Sequence, residues 1–136
     1  MEIESLLKQA EAAKSWSPEK PTPDLELESF LTQCELTLPS DYIDLLRSSN
    51  GGLAILKHFP DRCLFFPVSS LLQWNKSVPK TKSLFVFGTN ATGIHMAFKY
   101  DQSTMPIYCI EYPYKDKSSI ELISKDLRVF LELMKL

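Results

Sequence analysis

His58 and His95 are the only imidazoles in this chain, and with Cys34, Cys63 and Cys109 they make up most of what could support covalent or metal chemistry. A serine or cysteine nucleophile needs a base beside it and a strained turn to present it, and no G-x-S-x-G accompanies either histidine. Both are therefore read as surface or strand residues, and no catalytic residue is assigned. The cysteines are odd in number, widely spaced and set in apolar surroundings, which fits reduced core thiols in a cytoplasm better than a disulfide framework. With no C-x-x-C, H-x-x-x-H or facial-triad spacing, no metal site is expected. Gly88-Thr89-Asn90-Ala91-Thr92-Gly93 has the G-x-x-x-x-G spacing of a phosphate loop, but Ile94-His95 follows where a lysine and a hydroxyl residue are required. A hairpin-type turn is the plainer reading, and no cofactor is implied. Asp41 and Asp44, three residues apart, fall where a helix begins, and its dipole accounts for them.

What remains is a surface that could bind a protein. Tyr112 and Tyr114 lie beyond an apolar strand in the charged loop from Glu111 to Lys117. Tyrosine favours interfaces because a rigid amphipathic ring adds contact area at low entropic cost. A purely structural role for these rings stands beside that reading. The candidate partner-binding set is Tyr112, Tyr114, Glu111, Asp116, Trp74 and Asn90. Removing either tyrosine ring is expected to leave folding intact. Fifteen basic and 17 acidic residues give a net charge of −2, with no electrostatic footprint for nucleic acid or anionic lipid. The stretch Met1 to Ala13 carries Glu2, Glu4, Lys8 and Glu11, unlike a signal peptide, and no apolar run approaches a membrane span. A cytoplasmic protein is expected.

The elements that must position these residues can be read from periodicity. At 136 residues, 44% hydrophobic and 24% charged, the chain is the size of one ordinary domain, expected over 1–136. Ile3, Leu6, Leu7, Ala10 and Ala13 form a helical stripe within 1–16, and a proline-rich connector follows over 17–24. The core is expected over 25–136. Leu27, Phe30, Leu31 and Cys34 predict a second helix with Asp24 as its cap, and Pro39 opens a third that Asn50-Gly51-Gly52 closes with a left-handed residue. Two short strands surround Phe59-Pro60-Asp61, and a short helix over Val68 to Asn75 is capped by Ser69 or Ser70. Further strands span Ser83 to Gly88, Ile94 to Tyr100 and Pro106 to Glu111. Ser124 caps a closing helix carrying Leu127, Phe130, Leu131 and Met134. This order predicts an α+β domain with an antiparallel-rich mixed sheet flanked by N-terminal and C-terminal helices.

Leu38-Pro39-Ser40-Asp41-Tyr42, then Leu45-Leu46, then Asn50-Gly51-Gly52 resembles the "L-P-x-D-Y … F/L-L … N-G-G" signature of the SUKH superfamily, which includes the yeast cell-wall assembly regulator family. The order downstream is similar, with a turn bounded by Gly88 and Gly93 and a last helix containing Phe130 and Leu131. Ile94 stands where members often carry an acidic residue, and Leu127 where phenylalanine is usual. The resemblance implies an α+β domain without catalytic residues. Bacterial members are similar to immunity proteins that bind and block a cognate toxin domain, and a nuclease toxin would suit the mild acidity here. Eukaryotic members look like cell-wall regulators or adaptors, which is the alternative role. A small-ligand-binding enzyme using the Asn50–Gly52 and Gly88–Gly93 loops as one site is the rival from another class. Oligomeric state is left open.

Overall fold

Seven strands lie side by side in the order in which the chain makes them. The computed structural model describes residues 2–135. The strands are β1 (Trp16–Pro18), β2 (Gly52–Ile55), β3 (Arg62–Phe65), β4 (Leu84–Thr89), β5 (Ile94–Lys99), β6 (Ile107–Glu111) and β7 (Ile120–Ser124). Every neighbouring pair is antiparallel. The helices are α1 (Ile3–Ala12), α2 (Asp24–Gln33), α3 (Ser40–Ser48), α4 (Val68–Asn75) and α5 (Leu127–Leu131). The α+β expectation stands, with a sheet that is wholly antiparallel rather than mixed, because each connection returns the chain along its neighbour. Met1 and Leu136, the ends of the expected domain, lie outside the described residues.

Strand register sorts the side chains onto two faces. Trp16, Ala54, Phe65, Met96, Phe98 and Ile107 share one face, and α3 and α5 close over it. Tyr42 of α3 meets Phe98 and Phe87 at ring separations of 5.2 and 5.8 Å, and Phe130 of α5 meets Phe65 at 6.4 Å. Tyr42, Leu45 and Leu46 are all fully buried, each contributing about 1.5–3 kcal/mol by leaving water. On the opposite face the registers align Leu53, Leu64, Thr89, His95, Ile110 and Ile120 in one row across β2 to β7. That face carries the candidate site.

Several local expectations change. Pro18 belongs to β1, inside the expected connector; β1 lies at the sheet's edge, where a proline costs no central ladder bond. Pro23 and Pro39 each sit just before their helices, so Asp24 and Ser40 are the first helical residues. The glycine pair does not cap α3. That helix ends at Ser49, whose extended backbone still donates its N–H to the Leu45 carbonyl at 2.8 Å. Gly51 (φ +94°) and Gly52 (φ +133°) are instead required by close approach. A Cβ on Gly51 would stand 2.7 Å from the Phe65 carbonyl oxygen, and one on Gly52 2.6 Å from the Trp16 ring. Asn50 caps a different helix, its Oδ1 accepting the Val68 N–H of α4 at 2.8 Å, so neither Ser69 nor Ser70 is needed there. Asp126, not Ser124, caps α5 by accepting the Val129 N–H at 2.8 Å. Ser124 ends β7, a strand that the periodicity did not reveal.

Candidate functional site

Four segments deliver rings to one spot on the sheet face opposite α3. Phe66 follows β3, Trp74 lies on α4, His95 on β5, and Tyr112 and Tyr114 on the loop after β6. Helix α4 must be held firmly for this, and two asparagines hold it. Asn50 receives its first N–H. At the other end Asn75 accepts from the Val86 N–H at 2.8 Å and donates to the Val86 carbonyl at 3.0 Å. Strand β3 pairs β4 only at Leu64 and Phe65, so this side chain satisfies backbone groups of β4 that no strand reaches. Trp74, one residue earlier, is thereby fixed above the sheet.

The rings form two stacks that meet edge to face. Trp74 stacks on Phe66 with centroids 4.9 Å apart and planes 10° from parallel. His95 stacks on Tyr112 at 4.6 Å and 9°. Between the stacks, Trp74 meets His95 at 5.2 Å and 84°, and Tyr112 at 5.4 Å and 78°. Tyr114 closes the group, meeting His95 at 5.4 Å and 74° and Tyr112 at 5.2 Å and 80°. Perpendicular contacts place the positive ring edge against the negative face, which favours each pair beyond its buried area.

His95 is 4% exposed. Burial lowers its pKa to about 4, so the imidazole is neutral near pH 7. Its Nδ1 lies 2.5 Å from the Tyr114 hydroxyl oxygen. Burial, followed by the charge that would sit on Tyr112, pushes the Tyr114 phenol well above its ordinary value. The phenol therefore keeps its proton and donates it, Nδ1 accepts, and the imidazole proton resides on Nε2. This bond locks the loop to β5, and the Lys82 ammonium donates to the Ser118 carbonyl further along the same loop. His95 is thus committed to a tyrosine rather than to a serine or cysteine. His58 lies exposed between β2 and β3.

The candidate residues divide. Trp74, Tyr112 and Tyr114 come together; Glu111, exposed at the end of β6, pairs with Ile94 and so faces the other side of the sheet from His95, and Asp116 is exposed further along the loop. Tyr112 is 44% exposed and forms the outer surface of its stack. Tyr114 is half-buried and hydrogen-bonded, so its removal would disturb the loop, contrary to the expectation that either ring is dispensable for folding. Asn90 is only 5% exposed. Its Oδ1 accepts the N–H groups of Thr92 and Ile94 at 2.9 and 3.1 Å, and its Nδ2 donates to the Pro60 carbonyl at 3.4 Å. It builds the turn and presents nothing to a partner. In that turn Gly93 has a φ of +94°, whereas Gly88 is needed because a Cβ would stand 2.7 Å from the Cys63 sulfur. The sequence reading missed Phe66 and His95 as members of the cluster. The polar His95 amid the apolar residues of β5 was the available signal.

Other chemistry is sparse. Burial raises the Cys63 and Cys34 thiols, and burial together with nearby Glu121 pushes Cys109 up to about 11, which keeps all three protonated and weakly nucleophilic. Asp41 faces Arg128 at 3.8 Å, and Asp44 faces Arg47 at 3.5 Å. Among the described residues no group of three or more His, Cys, Asp or Glu side chains is arranged to hold a metal ion. No described helix is long and apolar enough to cross a membrane. A cleft of about 590 Å³ opens beside the connector, with Pro21, Pro23, Asn50, Gly52, Leu64 and Phe66 in its wall. Residues 88–93 do not line it, so it does not join the two glycine loops into one site. Comparison of the chain with protein-family models and with curated proteins found no match.

Proposed function

We propose that this chain is a non-enzymatic protein-binding domain whose contact surface is centred on Tyr112. The observation that carries this reading is an exposed tyrosine backed by immobilised rings. Tyr112 lies on His95 and is flanked by Trp74 and Tyr114, and Asp116 is exposed further along the same loop. A ring already fixed in place loses little freedom on binding, which is the property of interface anchors. Leu64, 44% exposed, lies on the same sheet face two strands from His95, with Thr89 between them. The resemblance of Leu38 to Gly52 to the SUKH signature supplies the class of partner: a cognate toxin domain, a nuclease among the candidates, whose active site this chain occludes in the cytoplasm.

Co-expression tests the reading directly. If a toxin domain is encoded next to this chain's gene, the chain should neutralise it in a sensitive host at one-to-one stoichiometry. Tyr112→Ala should retain the fold and lose about 1–3 kcal/mol of affinity, roughly 5- to 150-fold, in a calorimetric titration. Absence of protection by the unaltered chain would refute the toxin-blocking role, and unchanged affinity in the variant would refute the assigned surface.

A further inference from the structure

The cleft beside the connector, about 590 Å³, falls within the roughly 300–1,000 Å³ of pockets that bury a bound group. Its wall joins two kinds of surface. Pro21 and Pro23 of the connector, Leu64 of β3 and Phe66 make it apolar, and all but Phe66 are exposed. Glu19, Lys20 and Glu26 supply its charge. Among the described residues neither glutamate has an ion-pair partner within 4.0 Å. Glu26 is half-buried, so its unpaired carboxylate is already partly stripped of water. The segment 19–28 on this side holds Glu19, Asp24, Glu26 and Glu28 against Lys20 alone, a balance more negative than the −2 of the whole chain. Charge of one sign along an apolar wall selects partners of the opposite sign. Phe66 also stacks on Trp74 and meets His95 edge to face, so the cleft adjoins the ring cluster that carries Tyr112.

We propose that this cleft docks a basic segment of a protein partner: one large apolar side chain enters between Pro21, Pro23 and Leu64, and arginine or lysine side chains on either side of it pair with Glu19 and Glu26. Charge favours this occupant over the others. An anionic ligand would meet two unpaired carboxylates, a purely apolar one would desolvate them without replacing the lost water, and a second copy of the same cleft would oppose like charges. The proline walls have fixed φ angles and lose little freedom on binding. The inference rests on the reading of this chain as a protein-binding domain, and it adds the partner's chemistry at a place separate from Tyr112.

The probe is a blocked hexapeptide with a leucine and a phenylalanine between two pairs of arginines, titrated into the full chain and followed by amide nitrogen–proton correlation spectra. Saturable shifts are expected at Gly52, Leu64 and Phe66 in the cleft wall, with a Kd of about 1 mM or tighter. Exchanging the arginines for glutamates, or the leucine and phenylalanine for serines, should abolish them. Glu26→Lys should weaken binding at least about fivefold, because it sets a cation against those of the peptide. Glu121→Lys, the same change of charge on β7 at the opposite edge of the sheet, should leave it unchanged. Glu19→Lys, at an exposed connector position, reads the same effect if Glu26→Lys fails to fold. Absence of saturable shifts up to about 5 mM peptide, equal binding of the acidic or serine peptide, or indifference to both glutamate substitutions would each overturn the proposal. Neutralisation that depends on Tyr112 is measured separately, so a silent cleft with neutralisation intact removes this inference alone.

Discussion

The Tyr42 hydroxyl is a buried polar group without a hydrogen-bond partner among the described residues, and Tyr42→Phe turns that observation into a stability measurement. The ring is wholly buried between Phe87 and Phe98. Phenylalanine keeps those contacts and removes only the oxygen. An unsatisfied buried hydroxyl carries a desolvation cost of about 1–3 kcal/mol, and the space left by one oxygen returns a fraction of that. A net gain of about 1–2 kcal/mol is expected. With an unfolding entropy near 2.1 cal/mol/K per residue, a chain of this length should melt about 3–7 °C higher. The alkaline limb gives a second test. Burial, with smaller contributions from Cys63 and Cys34, raises the Tyr42 pKa well above its ordinary value. An unfolded tyrosine ionises near pH 10, so above that the folded chain retains a proton that the unfolded chain releases. Stability present below about pH 10 is then lost as pH rises. Tyr42→Phe lacks this loss, and its advantage should widen above pH 10. Calorimetric melts at neutral and alkaline pH would show both effects. A variant that melts below the parent at pH 7 would show that the hydroxyl has a stabilising partner, refuting the reasoning.

His95 predicts an acid-side dependence. Its pKa is lowered to about 4, against about 6.5 when unfolded, so its contribution is present above pH 6.5 and is lost as pH falls towards 4, by up to about 3 kcal/mol. Urea unfolding at pH 7 and 4.5 should show this fall, and His95→Gln should flatten it; an equal fall in the variant would assign the loss elsewhere. The glycines should separate by cause. Gly93→Ala meets no atom within 4 Å and should cost only the positive φ, about 1–2 kcal/mol. Gly51→Ala adds the collision with the Phe65 carbonyl and should cost about 2–5 kcal/mol. Equal losses on chemical denaturation would contradict the packing role.

Periodicity exposes elements that bury a face. Tyr42, Leu45 and Leu46 reveal α3, and the helix over Val68–Asn75 has the expected bounds. The strand β7 was hidden because an edge strand buries little: Glu121 and Leu122 are exposed, and the apolar alternation that marks a half-buried strand is broken. Capping residues were read from adjacency, yet Asn50 caps α4 from eighteen residues away. Nothing local to an asparagine specifies a helix that far along the chain. The candidate site was legible as exposed tyrosines and illegible as a cluster, because the rings of Phe66, Trp74, His95 and Tyr112 meet only when α4, β5 and the loop after β6 have docked.

The strictly sequential strand order has a kinetic meaning. Each ladder closes a loop between consecutive strands, and the entropic cost of closure grows with the length of chain enclosed. The ladders from β4 to β7 enclose short turns or a single loop, and β3 to β4 encloses α4, whereas β1 to β2 encloses residues 19–51 with α2 and α3 inside. The β2–β3 hairpin, which encloses only residues 56–61, and the hairpins from β4 onwards are therefore positioned to assemble first, and β1 with α1 to dock last on a sheet already formed. Hydrogen exchange should be slowest at the amides linking β4, β5 and β6 and fastest among the strands at β1. The tyrosine surface would then be built on the part of the molecule that opens least often.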